Sequence, residues 1–412
     1  MVYLDYNATT PLAPEVIEAI KDSLHVAWGN PSSSHEAGVK AKSVIVTARK
    51  HVASMIGAKP SDIIFTSGGT EGNNWILRMA LQYFHQGDNS ENTNGCGDMN
   101  PQNQSKSRPR PHFITSNVEH DSVKLVLEQF EAQGLADVTF VPVSQSSGCV
   151  AVEDVLSAIR PTTVMVTIML ANNESGVIQP VPEICRSVKK LKRQAGETSR
   201  ILLHTDAAQA LGKIPVDVQD LGVDYLTIVG HKFYAPRIGA IFARDPSEGT
   251  PIFPLLYGGG QERNFRPGTE NTPMIAGLGK AAELVCLHLE EYQQHMRKVR
   301  DYLETKLKEV FGDAVLFNGR FELSERLPNT CNVSFTGTKL RGHEILSRAP
   351  GVLASVGAAC HAQDRPSHIL LSMGVDESVA WRALRVSVGR ETTTKDVDSA
   401  VAELSAALTT DA

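Results

Sequence analysis

The chain has 412 residues, of which 42% are hydrophobic and 21% are charged, and its formal net charge is −6. This length can bury a large core and predicts two domains, while the acidic balance makes nucleic acid and anionic membranes unexpected partners. The N-terminus lacks a cationic segment before an apolar one, and no run of about 18 apolar residues occurs, so we expect a cytosolic protein that binds small molecules.

Short apolar runs rich in β-branched residues alternate with amphipathic segments up to about residue 243. The predicted strands lie in DIIFTS, HFITSNV, VTFVPV, TTVMVTIML, RILLHTD, DYLTIVG and IGAIFA. This alternation is typical of an α/β domain in which helices cover both faces of a mostly parallel, seven-stranded sheet.

A different pattern begins at Thr272 and continues to about Phe311, where the spacing of apolar residues predicts one long connecting helix. On that helix Glu304 and Lys308 have the spacing at which opposite charges pair on an exposed face. Shorter strands are predicted beyond it in TCNVSFTG, GVLASVG and ALRVSVGR. We therefore expect a smaller α+β domain at the C-terminus.

Residues 86–111 are rich in Asn, Gln, Ser, Gly and Pro and contain almost nothing to bury. Such a composition predicts a disordered surface loop. We favour a tolerated insertion for this segment over a regulatory or docking role.

Two consecutive predicted strands bring an acid and a lysine to the same edge of the sheet. One strand ends near Asp206, with Gln209 just beyond it, and the next strand ends at Lys232. Ligands bind at this edge of open α/β sheets, and a desolvated lysine there has a lowered pKa and can form a Schiff base. Because an acid nearby suits a protonated pyridine nitrogen, the pair indicates pyridoxal 5′-phosphate. The alternative is a strand-end lysine that reaches solvent.

A phosphate cradle is predicted between a strand and a helix in SDIIFTSGGTEGNNWIL. Gly68 and Gly69 accept backbone angles closed to other residues, and Thr70 offers a hydroxyl and an N–H at the helix start. A plain strand-to-helix turn is the alternative. His120 follows the next strand, where its imidazole either lies against a pyridine ring or serves as a hydrogen-bonded structural residue.

Ten motifs occur in an order that resembles the class V aminotransferase-like enzymes. They are VYLDYNATTP, GNPSS, TSGGTE, VEHDS, ANNESGVIQPV, HTDAAQ, GHKFYAPRIG, GGGQERNFRPGTENT, SVGAAC and RVSVGR. More closely, the chain resembles the selenocysteine lyases, which are relatives of the cysteine desulfurases, over virtually its whole length. The resemblance implies a fold type I enzyme that depends on pyridoxal phosphate.

The resemblance assigns contacts with the cofactor ring to matching positions. Lys232 would carry the aldehyde of pyridoxal phosphate, and His120 would stack on the ring and take part in catalysis. Asp206 would face the ring nitrogen, and Gln209 would face the phenolic oxygen.

Contacts with the cofactor phosphate are assigned in the same way. Thr70, with Gly69 beside it, and His231 would contact the phosphate. The RPGTENT segment looks like the one that reaches the neighbouring subunit of a homodimer, so Thr269 would contact the partner's phosphate.

The substrate positions follow from the same motifs. Asn173 and Arg385 match positions that bind the substrate carboxylate, for which the rigid fork of arginine is suited. Cys360 matches the active-site cysteine on a mobile loop. With a sulfur substrate its thiolate would carry a persulfide, whereas with selenium it either does the same or serves as proton donor or gate.

The resemblance also implies domain boundaries. The large cofactor-binding domain would span residues 14–262. The small domain would comprise residues 1–13 and 263–412, including the long connecting helix and the loop that carries Cys360.

Three positions depart from the pattern of the desulfurases. Val229 stands where a serine commonly supplies a phosphate hydroxyl, and Ala235 stands where glycine is usual. Asp121 follows His120, where desulfurases often have a basic or neutral residue. This acid either disfavours a nearby thiolate, and with it the cysteine reaction, or caps the helix that follows.

The favoured function is removal of selenium from L-selenocysteine, which gives L-alanine and selenide or selenium bound to the enzyme or to a thiol. A selenium-acceptor protein would then be a further partner. One alternative is a cysteine desulfurase that forms a Cys360 persulfide for sulfur delivery, and another is a catalytically silent binding module. Six scattered cysteines without a C-x-x-C pair indicate reduced thiols and predict no metal site.

Overall fold

The computed structural model describes residues 1–91, 109–192, 200–246, 248–357 and 365–409. The helices in these ranges are α1 Pro14–Val26, α2 Glu36–Met55, α3 Gly69–Glu91, α4 Asp121–Ala132, α5 Val152–Ser157, α6 Val181–Lys189, α7 Val218–Leu221, α8 Thr272–Phe311, α9 Gly342–Arg348, α10 His368–Ser372, α11 Glu377–Ala380 and α12 Thr394–Thr409. The strands are β1 Val2–Tyr3, β2 Ile63–Thr66, β3 His112–Ser116, β4 Asp137–Val141, β5 Thr163–Thr167, β6 Leu202–Asp206, β7 Tyr225–Val229, β8 Gly239–Ala243, β9 Val315–Phe317, β10 Thr330–Phe335, β11 Val352–Leu353 and β12 Ala383–Ser387.

The seven strands predicted in the first part of the chain form one sheet in the order β2-β8-β7-β6-β5-β3-β4. Only β8 runs antiparallel to its neighbours β2 and β7, and the other pairings are parallel. The prediction of a mostly parallel α/β sheet is therefore confirmed. The carboxyl ends of β3, β5, β6 and β7 meet at one edge, as parallel pairing requires.

Both faces of this sheet are covered, because successive residues of each strand point to opposite sides. On β6, for example, Leu202 packs with α3 and α4, whereas Leu203 packs with α2, α6, α7 and the first half of α8. Strands buried on both faces read as continuous apolar runs, which is why the sequence located them.

The predicted long helix is confirmed as α8 Thr272–Phe311, and it joins two hydrophobic cores. Its first half packs under the seven-stranded sheet, and its second half packs with β10, β12 and α12. A three-stranded antiparallel sheet, β12-β10-β9, and the short parallel pair β1-β11 belong to this second core. The domain division at residues 14–262 stays a prediction.

Some details of the sequence prediction are corrected. Glu304 is buried and pairs with Arg326, which follows β9, while Lys308 pairs with Asp313; the expected Glu304–Lys308 pair is therefore absent. Helix α3 extends to Glu91, so the first six residues of the expected loop 86–111 are helical. Residues 92–108 lie outside the described residues. No helix among those described is long and apolar enough to cross a bilayer.

Candidate active site

A cavity of about 260 Å³ lies at the carboxyl edge of the seven-stranded sheet, beside the N-terminal segment and β12. It brings together nine of the residues predicted from the sequence, namely Gly69, Thr70, His120, Asn173, Asp206, Gln209, His231, Lys232 and Arg385. Residues that are far apart in the sequence thus converge on one cavity.

Lys232 lies on the cavity wall, although not at the end of a strand as predicted. The ladder between β7 and β8 ends at Val229 paired with Gly239, so the chain leaves the sheet and forms a single 3-10 turn, Gly230–Lys232. Its Nζ donates to the backbone oxygens of Asn7 at 2.7 Å and Ala8 at 2.8 Å. The amine is therefore oriented by carbonyls of the N-terminal segment.

Asp206 is the last residue of β6 and is buried in the cavity wall. Its Oδ2 accepts from Nδ2 of Asn73 at 2.8 Å, and its Oδ1 accepts from the backbone N–H of Ala208 at 2.9 Å. These donors fix the plane of the carboxylate. Asp206 and Lys232 line the same cavity, which confirms that consecutive strands bring them to one edge of the sheet.

A hydrogen-bonded chain connects Asp206 to His120. Nδ2 of Asn73 also donates to Oγ of Ser122 at 2.8 Å, and that hydroxyl lies 2.8 Å from Nδ1 of His120. Because Nδ1 also accepts the backbone N–H of Ser122, a neutral His120 ring carries its proton on Nε2. His120 itself caps α4, so the capping role considered for Asp121 belongs to its neighbour.

The start of α3 forms the other end of the cavity. A Cβ atom at Gly69 would lie 2.5 Å from Cγ2 of Val229, whereas a Cβ at Gly68 would meet nothing within 4 Å. Gly69 is therefore required by Val229, and the space beside Gly68 is open. Thr70 lies exposed in the first turn of α3, where helix N–H groups favour an anion.

His231 borders this end of the cavity. Its Nδ1 lies 3.1 Å from Oγ1 of Thr9, and burial, with the charges of Lys232 and Arg237, lowers its pKa to about 4. The ring is therefore neutral near neutral pH and serves as a hydrogen-bonding group rather than a cation.

Arg385 on β12 lies opposite, with 2% of its surface exposed. Its Nη2 donates to Oδ1 of Asp5 at 2.8 Å, and its Nη1 donates to the backbone oxygen of Asn173 at 3.2 Å. Within the described residues, Nε of Arg385 and Oδ1 of Asn173 have no hydrogen-bond partner. Buried polar atoms are seldom left unpaired, so these two atoms indicate a polar ligand.

Three predicted residues are not placed in the cavity wall. Thr269 is exposed on the loop before α8, and Asp121 lies in the first turn of α4 beside His120. Cys360 lies outside the described residues. The roles predicted for these three stay predictions.

The sequence analysis missed several residues that organise the site. Asn7 is fully buried, and its backbone oxygen accepts from both Lys232 and Gln209. Asp5 pairs with Arg385, and Lys213 donates to both Asn7 and Gln209. For Asp5 and Asn7 the sequence did contain a signal, because in VYLDYNATTP polar residues directly follow a short apolar stretch.

Comparison with known proteins decides the family. The family model for class-V aminotransferases matches residues 2–91 and 99–400. The chain belongs to the class V aminotransferases. Among relatives, the selenocysteine lyase of Rattus norvegicus is 57% identical over 411 residues, which cover 99% of this chain and 94% of that protein. The cysteine desulfurase IscS of Methanosarcina thermophila is 39% identical over 400 residues, which cover 96% of this chain and 89% of that protein.

A solved structure supports the same assignment. A NifS-like protein superposes with a TM-score of 0.84 at 33% sequence identity, covering 99% of both chains. The predicted fold type I architecture of class V aminotransferases is thereby confirmed.

Class V aminotransferases depend on pyridoxal 5′-phosphate, which confirms the predicted cofactor. The cavity of this chain fits that group. It offers an amine, a buried carboxylate and a neutral imidazole, and a helix N-terminus with open space beside Gly68 suits a phosphate. Among the described residues no cluster of three or more His, Cys, Asp or Glu is placed to bind a metal ion.

Proposed function

We propose that this chain cleaves the bond between Cβ and selenium of L-selenocysteine. The products are L-alanine and selenium, which leaves as selenide when a thiol reductant supplies two electrons or is otherwise carried by a thiol as R–S–SeH. The observation that carries the proposal is 57% identity to the selenocysteine lyase of Rattus norvegicus across 99% of this chain. The cavity supports it, because an amine, an acid and a buried arginine line the same space.

Pyridoxal phosphate, when bound, supplies an aldehyde for the substrate amine and a ring that withdraws electrons from Cα. Lys232 would hold the aldehyde and Asp206 would face the ring nitrogen, where its buried carboxylate keeps a proton on that atom. Gln209 and His120 would contact the phenolic oxygen and the ring face. The amine of Lys232, when it is free, would take the proton from Cα of the substrate.

The substrate carboxylate would bind Arg385, which lines the cavity and whose Nε has no acceptor among the described residues. Bonds between arginine and a carboxylate are charge-assisted and directional, so they fix which bond at Cα is broken. Oδ1 of Asn173, which also lines the cavity, is an acceptor without a partner in the described parts of the chain. Cys360 would act at the selenium atom, as nucleophile, proton donor or gate.

The phosphate would bind at Gly69, Thr70 and His231, with Thr269 of a second copy completing the site. Support for this arrangement comes from Thr269 itself, which is exposed and outside the cavity of its own chain. The active form would then be a homodimer, and reduced selenium would pass to an acceptor protein. Sedimentation of the purified enzyme, with and without Thr269→Ala, tests the assembly; a fully active monomer would rule it out.

The assay that tests the function offers L-selenocysteine and L-cysteine separately to the holoenzyme with a thiol reductant, and measures alanine together with selenide or sulfide. We expect alanine chiefly from L-selenocysteine. Faster alanine formation from L-cysteine would favour a desulfurase, the activity printed for the 39% identical relative. If neither substrate gives alanine, the result would favour the remaining alternative, a binding module without catalytic activity.

A further inference from the structure

A second lysine, Lys213, lies buried behind the cavity wall and has no part in the function proposed above. Only 3% of its surface is exposed. Its Nζ donates to Oε1 of Gln209 at 2.7 Å and to Oδ1 of Asn7 at 2.9 Å. Lysine is almost never fully buried without a paired charge, and both of these partners are neutral amides.

The protonation of Lys213 follows from its surroundings. Burial lowers its pKa well below the ordinary value, and the positive charges of Lys232 and Arg385 lower it further. A neutral amine has two N–H donors, which matches the two amide oxygens that receive them. The surroundings therefore disfavour the charged form of Lys213 and offer its amine two acceptors.

The two hydrogen bonds of Lys213 determine how both amides are turned. Because Oε1 of Gln209 faces Lys213, its Nε2 must point the other way, where it donates to the backbone oxygen of Asn7 at 3.0 Å. Oδ1 of Asn7 accepts from Lys213 and from Asn329, so its Nδ2 donates to Thr330 at 2.8 Å. Without the lysine, Oε1 of Gln209 loses this donor, and Oδ1 of Asn7 keeps only Asn329.

Asn7 transmits this orientation to the reacting lysine. The backbone oxygen of Asn7 that accepts from Gln209 also accepts Nζ of Lys232 at 2.7 Å. The side chain of the same residue is fixed on one side by Lys213 and on the other by Thr330 of β10. The position of the Lys232 amine thus depends on a residue that Lys213 holds in place.

We propose that Lys213 is a positioning residue that fixes the amide orientations of Gln209 and Asn7 and, through Asn7, the amine of Lys232. It would ensure that Gln209 presents an N–H, not an oxygen, to the cofactor oxygen it faces. This inference rests on the proposed function, because Gln209 and Lys232 act on that same cofactor.

A double-mutant cycle of Lys213→Met and Gln209→Ala tests the proposal. Lys213→Met should weaken binding of pyridoxal phosphate to the apoprotein about tenfold, the effect of losing one well-placed hydrogen bond, and should shift the absorption spectrum of the bound cofactor. In the Gln209→Ala background the added loss should be much smaller, because the two residues act through one contact. Affinity for the cofactor is measured by titration of the apoprotein.

Two further variants separate positioning from simple stability. Lys213→Gln keeps a neutral NH₂ on a shorter side chain, so its affinity and spectrum should lie between those of wild type and Lys213→Met. Arg300→Met removes a buried cation that donates to the backbone oxygen of Leu327 away from the cavity, and should lower stability without changing the spectrum. If Lys213→Met does not fold, the cycle is measured with Lys213→Gln.

Fully additive losses in the cycle, or a wild-type spectrum and affinity in Lys213→Met, would overturn the inference. Failure of the proposed function looks different, since wild type itself would then form no alanine from L-selenocysteine. The two failures are therefore separable with the same set of proteins.

Discussion

Oδ1 of Asp5 lies 2.8 Å from Nη2 of Arg385, so the arginine predicted to bind the substrate carboxylate is held by an acid of the N-terminal segment. Oδ2 of Asp5 accepts from Oγ of Ser355 at 2.7 Å, and Asp5 also forms a β-bridge with Ser387. Nη2 of Arg385 is thus committed to Asp5 and Nη1 to the backbone oxygen of Asn173, whereas Nε has no partner among the described residues. Asp5 therefore balances the positive charge of Arg385 and fixes the orientation of its guanidinium.

We expect Asp5→Asn to raise KM for the amino acid about tenfold and to change kcat less, because the substrate loses an oriented carboxylate partner. Removing one member of a buried ion pair should also lower the free energy of unfolding by about 3 kcal/mol. Steady-state kinetics and urea unfolding measure the two effects. Asp301→Asn is the matched control, because Asp301 pairs with Arg300 at 2.6 Å but is exposed and remote from the cavity. An unchanged KM in Asp5→Asn would contradict the prediction.

Lys232→Ala should abolish turnover and leave part of the cofactor binding intact. The residues proposed to contact the ring and phosphate remain, whereas the amine that takes the proton from Cα is lost. Alanine formation and the stoichiometry of bound cofactor after gel filtration are the measurements. Lys280→Ala, which removes a lysine paired with Glu283 on α8, should behave as wild type. Substantial alanine formation by Lys232→Ala would remove Lys232 from its assigned role.

The sheet and one half of the site could be predicted because their signals are local. The strands are mainly apolar and β-branched, and parallel strands end at a common edge, so Asp206 and Lys232 were expected to meet. The candidate phosphate site at the start of α3 could be predicted for the same reason, since Gly68, Gly69 and Thr70 are adjacent in the sequence.

The other half depends on contacts between distant segments, which local patterns do not encode. Lys213 contacts Asn7 across 206 positions of sequence, and Arg385 contacts Asp5 across 380. Glu304 illustrates the same limit, because helical spacing shows which residues share a face but not that Arg326 packs against it. Whether a charged side chain is buried depends on the residue that pairs with it in the folded protein, and local sequence patterns do not identify that residue.

Gly69→Ala should weaken cofactor binding in wild type but be tolerated beside a smaller neighbour. An added Cβ would lie 2.5 Å from Cγ2 of Val229, with the next nearest atom at 3.7 Å, so the clash is with one methyl group. We expect a cost of about 1–3 kcal/mol from overpacking, removed in the double variant Gly69→Ala/Val229→Ala. Titration of the apoproteins with pyridoxal phosphate and thermal unfolding check this. Equal damage in both backgrounds would show that the backbone at Gly69, not the methyl group, sets the requirement.

Selectivity between selenium and sulfur is predicted to depend on Asp121. This acid lies in the first turn of α4, next to His120, and a carboxylate near the site disfavours a thiolate. Asp121→Lys and Asp121→Ala should therefore raise alanine formation from L-cysteine relative to L-selenocysteine, and Cys360→Ser should remove that gain. Glu128→Ala alters an exposed acid on the same helix and should keep the wild-type ratio. If the Asp121 variants also keep it, the acid serves only the start of α4.

Glu119, the residue before His120, is a buried acid with only 3% of its surface exposed. Its Oε1 accepts from Oγ of Ser116 at 2.5 Å and from the backbone N–H of Met169 at 3.0 Å, and so ties the ends of β3 and β5 together. Burial raises its pKa to about 8; the bonds from Ser116 and Met169 oppose that rise, and the charge of Asp206 adds to it. The folded protein therefore carries a protonated Glu119 near neutral pH.

The stability of the apoprotein should consequently fall as pH rises from the ordinary glutamate pKa of 4.5 to about 8. In that interval the folded state binds the proton and the unfolded state does not, so each pH unit removes up to about 1.4 kcal/mol. Glu119→Gln keeps the Oε1 acceptor and cannot ionise, so it should be more stable than wild type above pH 8, by a margin that shrinks as pH falls toward 4.5. Urea unfolding across this range measures the margin, with Glu128→Gln as the exposed-acid control on α4. A margin that does not change with pH would mean that Glu119 is ionised in the folded protein and that its two hydrogen bonds outweigh the cost of its burial.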